Sequence, residues 1–254
     1  MMKKLCLSLL SLFFLSLNAH AHEEDVKHEI VAALDDHVVA IDTGFSGSKV
    51  LLFGSILGDG DVIIAIRGPS HREIVRKKER MMGIWANKEQ VEFSNTPAFY
   101  KVAASDQLAD LLPASERQRL ELGSDNVKPY LAPEYFRISA EKKDTFWDAL
   151  IRSKKRDGLY GEATDKINFL GKRLFRADID FPSNVPVGTY LAYVYLVSNK
   201  EVVHTQVTPI IVSKIGVEAG IYDFAQRHSL AYGVIAVVIA LVAGWLASVA
   251  FRKK

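Results

Sequence analysis

The sequence predicts a mainly β domain with a helical insertion, followed by one C-terminal helix long enough to cross a membrane. Three observations carry this prediction. Short β-branched and apolar runs recur between Gly, Ser and Asp clusters near both ends of the central region, and Arg173 to Phe181 alternates apolar with charged residues. Leu230 to Phe251 then runs without a charge, flanked by Arg227 and His228 on one side and Arg252, Lys253 and Lys254 on the other.

The N-terminal order is that of a secretory signal: Lys3 and Lys4, an apolar stretch from Leu5 to Leu17, and the small-x-small site Ala19-His20-Ala21. Residues 1–21 are therefore expected to be removed, leaving His22 as the mature terminus. At about 1.5 Å per residue the C-terminal run spans a hydrocarbon core of about 30 Å. Export of the preceding domain and retention of the basic tail 252–254 give one topology, with Tyr232 at the outer interface and Trp245 and Phe251 toward the inner one.

Strands are expected at Val38 to Ile41, Val50 to Ile56 and Asp61 to Ile66, after a linker-like HEEDVKHE. In Arg173 to Phe181, Phe175, Ala177, Ile179 and Phe181 share one face. The turn PSNVPVG leads into Thr189 to Val197, and Ser198 to Glu201 turn the chain back into Val202 to Val212. Read as three adjacent antiparallel strands, these form the closing half of a β-sandwich, for which an immunoglobulin-like arrangement is the most economical. Pro209 belongs at an edge or bulge, having no N–H for a ladder.

The helical insertion covers about 105–158. Ser105 is expected to cap a helix over Asp106 to Leu112, Pro113 to start another over Ala114 to Leu122, and Gly123 to stop it. A longer helix lies within Pro133 to Arg156, with Phe146 and Leu150 on one face and Arg152, Lys154, Lys155 and Arg156 complementing the dipole at its C-terminus. The sandwich domain thus occupies 22–216, a juxtamembrane segment 217–229 and the span 230–251; Ile221, Tyr222 and Phe224 among polar residues suit an interfacial helix.

Composition excludes several classes. The only cysteine, Cys6, lies in the signal, so the mature chain can form no disulfide, thiolate metal site or thiol nucleophile. Setting aside Lys3, Lys4 and the tail's three basic residues from 32 leaves 27 against 30 acidic residues, which is not a nucleic-acid binder's balance. The glycine-rich stretch TGFSGSKVLLFG, residues 43–54, lacks G-x-x-x-x-G-K-[ST] spacing and a following helical period, so it turns one strand into another and cradles no phosphate. It also lacks the G-x-S-x-G spacing of a nucleophile elbow.

The stretches IDTGFSGSKVLLFGSI, GDVIIAIRGP, IVRKKERMMGIWAN, TPAFYKVAAS, ALIRSKKRDGLY, LFRADIDFPSNVPVGTYLAYVYLV and IYDFAQRHSLAYG, in this order, resemble a family of transmembrane proteins of Alphaproteobacteria. The resemblance runs from about Val38 to the C-terminus. It implies an inner-membrane protein facing the periplasm, carries over no activity, and suggests an accessory role beside an exporter-type permease.

The segment from Arg67 to Trp85 holds the strongest candidate site. If Ile74 to Met81 is a strand, Arg72, Arg76, Lys78 and Arg80 share a face with Ile74. With Arg67 and Trp85 nearby, that ridge suits an oxyanion or an acidic partner surface; it equally suits a strand edge guarded by charge. His22, with its free amine, could hold copper, with His28, His37, His71 and His204 as further ligands. No cofactor is otherwise expected. Ser46, Asp61 and His71 or His204 match no catalytic motif, and the chain is not expected to be an enzyme. Trp85, Phe93, Phe99 and Tyr100 suit either a pocket or a core. Ala236, Ala240, Gly244 and Ser248 make a small-residue stripe along the span, suited to pairing with another membrane protein or with a second copy.

Overall fold

A computed structural model describes residues 28–81 and 83–251. The signal segment 1–21 and His22 lie outside the described residues. The chain is mainly β, with a long apolar helix at its C-terminal end.

Two sheets face each other. The first contains β1 (Glu29–Leu34), β3 (Gly47–Leu57), β11 (Leu174–Pro182) and β10 (Asn168–Leu170), in the order β1-β3-β11-β10. The second contains β2 (Val38–Ile41), β13 (Glu201–Lys214), β12 (Gly188–Ser198), β4 (Asp61–Arg67), β7 (Tyr100–Ala104) and β9 (Asp165–Lys166), in the order β2-β13-β12-β4-β7-β9. Leu52, Phe175, Ile179, Val194 and Ile210 are among the buried side chains of their shared core. β4 is buried on both faces from Val62 to Ile66, as its unbroken apolar run requires. Tyr195 and Val197 of β12 are buried beside it, in one core with Leu111, Leu112 and Leu122 of the helical segment.

Consecutive strands change sheets more often than the sequence suggests. β2, β3 and β4 alternate between the two sheets, with the glycine-rich stretch crossing over; an Asp42 carboxylate oxygen accepts from the Gly44 N–H at 2.9 Å there. The expected run of three adjacent antiparallel strands is also corrected, since β11 and β12 lie in opposite sheets. The PSNVPVG segment must bridge the layers. Its Val185 is buried, and the Tyr190 hydroxyl donates to the Pro186 carbonyl at 2.6 Å, tying the corner down. Phe99, Phe181 and Tyr190 fill that end, with ring centroids 5.2 to 5.6 Å apart.

The outer edge of β1 meets side chains of β13. Gln206 accepts from the Ala32 N–H and donates to its carbonyl, both at 2.8 Å, and His204 Nδ1 accepts from the Ile30 N–H at 3.3 Å. Pro209 sits in β13 with its nitrogen on the β2 side, in step with Ile211, whose N–H donates to the His37 carbonyl. It costs the β12 ladder nothing.

The chain between β4 and β7 forms β5 (Ser70–Met81) and β6 (Ile84–Pro97), which with β8 (Tyr130–Leu131), from after β7, make a third, three-stranded sheet. The helical segment carries α1 (Leu108–Leu111), α2 (Ala114–Arg119) and α3 (Ala140–Arg156). Ser105 does not cap α1. Gln107 holds that position, and Ser105 instead donates to Asp61 at 2.8 Å and accepts from the Val62 N–H. α3 is capped by Ser139 and buries Phe146, Trp147, Leu150 and Ile151. After β13 come α4 (Val217–Arg227) and α5 (Ser229–Phe251). Ser229–Val249 of α5 is long and apolar enough to cross a membrane and has no residue buried in the fold.

A candidate docking surface on the β5–β6 hairpin

The hairpin leaves the sandwich through Gly68. A Cβ at this position would lie 2.9 Å from both the Phe99 nitrogen and a Tyr190 ring carbon, so only glycine threads the gap. The Gly68 N–H donates to the Phe99 carbonyl at 2.8 Å, and the Ala98 N–H to the Pro69 carbonyl, closing the base. From there β5 and β6 pair antiparallel out to Met81 opposite Ile84.

The two faces of the hairpin differ. On the inner face Val91 and Phe93 are fully buried, and Phe93 packs on Trp147 of α3 at 5.1 Å. Beside them Glu73 receives Lys154 of α3 at 2.5 Å, with Lys154 buried and Glu73 partly accessible. Further out, Lys142 of α3 pairs with Glu89 at 2.9 Å. On the outer face Arg72, Ile74, Arg76, Lys78 and Arg80 are all exposed, as the alternation predicts. The register shifts at both irregularities leave the extra residue on β6, so the side-chain alternation of β5 survives along its length.

The ridge is partly neutralised. Arg72 meets Glu92 at 3.3 Å, and Arg76 donates to Gln90, which in turn donates to the Tyr135 hydroxyl. Lys78 stands opposite Asn87 and Arg80 opposite Trp85, and neither has an ion-pair partner among the described residues. β5 is also the edge strand of its sheet, so its charges guard an open ladder as well as offering a surface.

Arg67 does not join this ridge. It lies at the end of β4, where its guanidinium pairs with the buried Glu121 at 2.6 Å and sits 6.0 Å from the Tyr100 ring centroid. The Tyr100 hydroxyl donates to the Glu121 carbonyl and accepts from the Gly123 N–H. Burial pushes the Tyr100 and Tyr160 hydroxyls well above the ordinary tyrosine range, and the nearby Tyr195 up to about 12. A satisfied cluster of this kind locks the helical segment onto β4 and β7. Phe93, Phe99 and Tyr100 are core, whereas Trp85 is 71% exposed at the hairpin tip.

The fold adds two features the sequence did not signal. Arg152 and Arg156 line, with Arg76, an open groove of about 650 Å³ between β5 and α3. Met81 and Ile84 join Trp85 as exposed apolar residues at the tip, 53% and 69% accessible. Elsewhere, no group of three or more His, Cys, Asp or Glu side chains is gathered as a metal site among the described residues, and His28, His37, His71 and His204 are not brought into one. Ala236, Ala240, Gly244 and Ser248 lie on α5 and are exposed. A Cβ at Gly244 would meet nothing within 4 Å.

A mainly β domain followed by one apolar helix of spanning length defines a class of membrane-anchored proteins. Comparison agrees: residues 29–253 match the family described as "Putative transmembrane protein (Alph_Pro_TM)", and the chain belongs to that family. No curated protein matches it.

Proposed function

We propose that the chain is a single-pass inner-membrane protein whose periplasmic domain is a non-catalytic, immunoglobulin-like docking module for another membrane protein, with an exporter-type permease among the candidate partners. The immunoglobulin-like reading is supported by strand order. β1-β3-β11-β10 follows the A-B-E-D sheet of such domains, and β13-β12-β4 the G-F-C order of the other. The Tyr190 hydroxyl bonded four residues back to Pro186 has the form of the tyrosine corner at the start of strand F. Orientation follows from the signal-like N-terminus and from the basic tail after the span.

The observation that carries the docking role is the outer face of β5, where exposed Arg72, Arg76 and Lys78 line an edge strand held rigid by α3 behind it. Guanidinium and ammonium groups at this spacing select an acidic surface. Along the span, the small stripe at Ala236, Ala240, Gly244 and Ser248 offers a close-approach face for the partner's helix or for a second copy.

The test is purification of the full chain from its own membrane in gentle detergent. A stoichiometric membrane protein is expected to co-purify with the wild type and to be lost from R72E/R76E/K78E. Retention of that partner by the triple variant would overturn the docking surface.

A further inference from the structure

The tip of the hairpin is built differently from its shaft. Met81, Ile84 and Trp85 are each more than half exposed, and Gly83, at φ +89°, makes the turn between them. In register, Met81 faces Ile84 on one side of the ribbon and Arg80 faces Trp85 on the other, so both faces of the apex carry apolar surface. Just behind this cap come Lys78 and Arg80, uncompensated among the described residues. The last ion pair from α3 to the hairpin is at Glu89, so the apex projects about 15 Å beyond that support at about 3.3 Å per residue.

The register also shows at which end of the fold the hairpin is rooted. Gly188 pairs with Val212, Leu191 with both Pro209 and Arg67, and Arg67 with Tyr100. The end of β13 that leads through Ile215 to the span is therefore the same end from which the chain enters the hairpin at Gly68 and returns at Phe99. Val187 and Ile215 at this end are also exposed, 47% and 48% accessible. In the single-pass reading the span, reached from this end through α4, places the bilayer on this side of the domain.

We propose that the β5–β6 tip seats Trp85, Ile84 and Met81 in the headgroup layer of the same bilayer, with Lys78 and Arg80 on acidic lipid phosphates. An indole beside an aliphatic pair suits the interfacial layer, where one end of the ring is apolar and the other wet. Cations just behind it meet the negative surface potential of acidic lipids. Tethering by the span makes this a second, intramolecular contact, so few residues suffice. The inference rests on the single-pass reading; it shares Lys78 with the docking face of the shaft but does not need that face to have a partner.

The experiment uses the full chain in a Trp245→Phe background, reconstituted into phosphatidylcholine vesicles with and without phosphatidylglycerol. Flotation with the vesicles reports the span independently of the tip. Trp147, packed on Phe93, reports that the domain is folded. With phosphatidylglycerol present, brominated lipid is expected to quench most of the Trp85 emission. A further Trp85→Phe change should remove the quenched component, and K78E/R80E should return Trp85 to quenching by aqueous acrylamide. Trp85 that stays open to acrylamide and untouched by brominated lipid, in protein that still floats, would overturn the proposal. Protection of Trp85 in native membranes but not in these vesicles would also overturn it, assigning the tip to a protein partner.

Discussion

Lys154 is a basic residue near a helix C-terminus, and dipole complementarity alone explains its type. The fold gives it a second role, because it is buried and its ammonium meets Glu73 on the neighbouring strand. Removing one member leaves the other unpaired in a poorly solvated place. Lys154→Met is therefore expected to cost about 1–3 kcal/mol, and adding Glu73→Leu to recover most of it. Denaturant unfolding of the full chain in detergent, followed by Trp147 emission, checks both; equal stability of the single and double variants would refute the coupling. Side-chain roles of this kind were not legible in sequence, since Lys154 and Glu73 are far apart in the chain. Ser105 shows the same limit. Its type suits a helix cap, but Asp61 and the Val62 N–H claim its hydroxyl first.

Elements were legible where periodicity was clean. The alternation of β11 and the apolar run of β4 each match a strand buried as expected. β6 escaped because its two extra residues, near Lys88 and at Asn95 with φ +53°, break the period of two that would have revealed it. β1 escaped because the buried face of EIVAAL, Ile30, Ala32 and Leu34, is broken at its middle by an alanine, which has little strand preference. That weakness has a structural answer in the Gln206 amide, which takes both backbone groups of Ala32. Gln206→Leu should leave them without a partner. Hydrogen exchange at Ala32 is then expected to accelerate while amides within β4 keep their protection, and unchanged exchange would show that the edge needs no such clasp.

Across the whole molecule, the two sheets and the helical segment meet around tyrosines. Tyr195 is raised from 10.0 to about 12, chiefly by burial, and Tyr100 and Tyr160 are raised further. Folding therefore favours the protonated phenols. Their contribution is intact below about pH 10 and is lost as pH rises from there toward the folded value. An alkaline titration should show Tyr100, Tyr160 and Tyr195 ionising only with cooperative unfolding; early, independent ionisation would contradict their burial. The β-rich class and the terminal span could be read from sequence because both are written in local hydrophobicity. The pairing of sheets, the isolation of Arg67 from the ridge and the exposure of the tip depend on which distant segments share a layer.

β13 is the strand from which the chain leaves for α4 and the apolar α5, and this has a mechanical consequence. β13 is flanked by β12 on one side and, near its exit, by β2 running parallel to it. A pull entering β13 from that end along the strand axis would run across its hydrogen bonds, so the bonds to both neighbours would share the load instead of parting one at a time. β13 would then act as a shear joint between the β domain and the apolar helix that follows it.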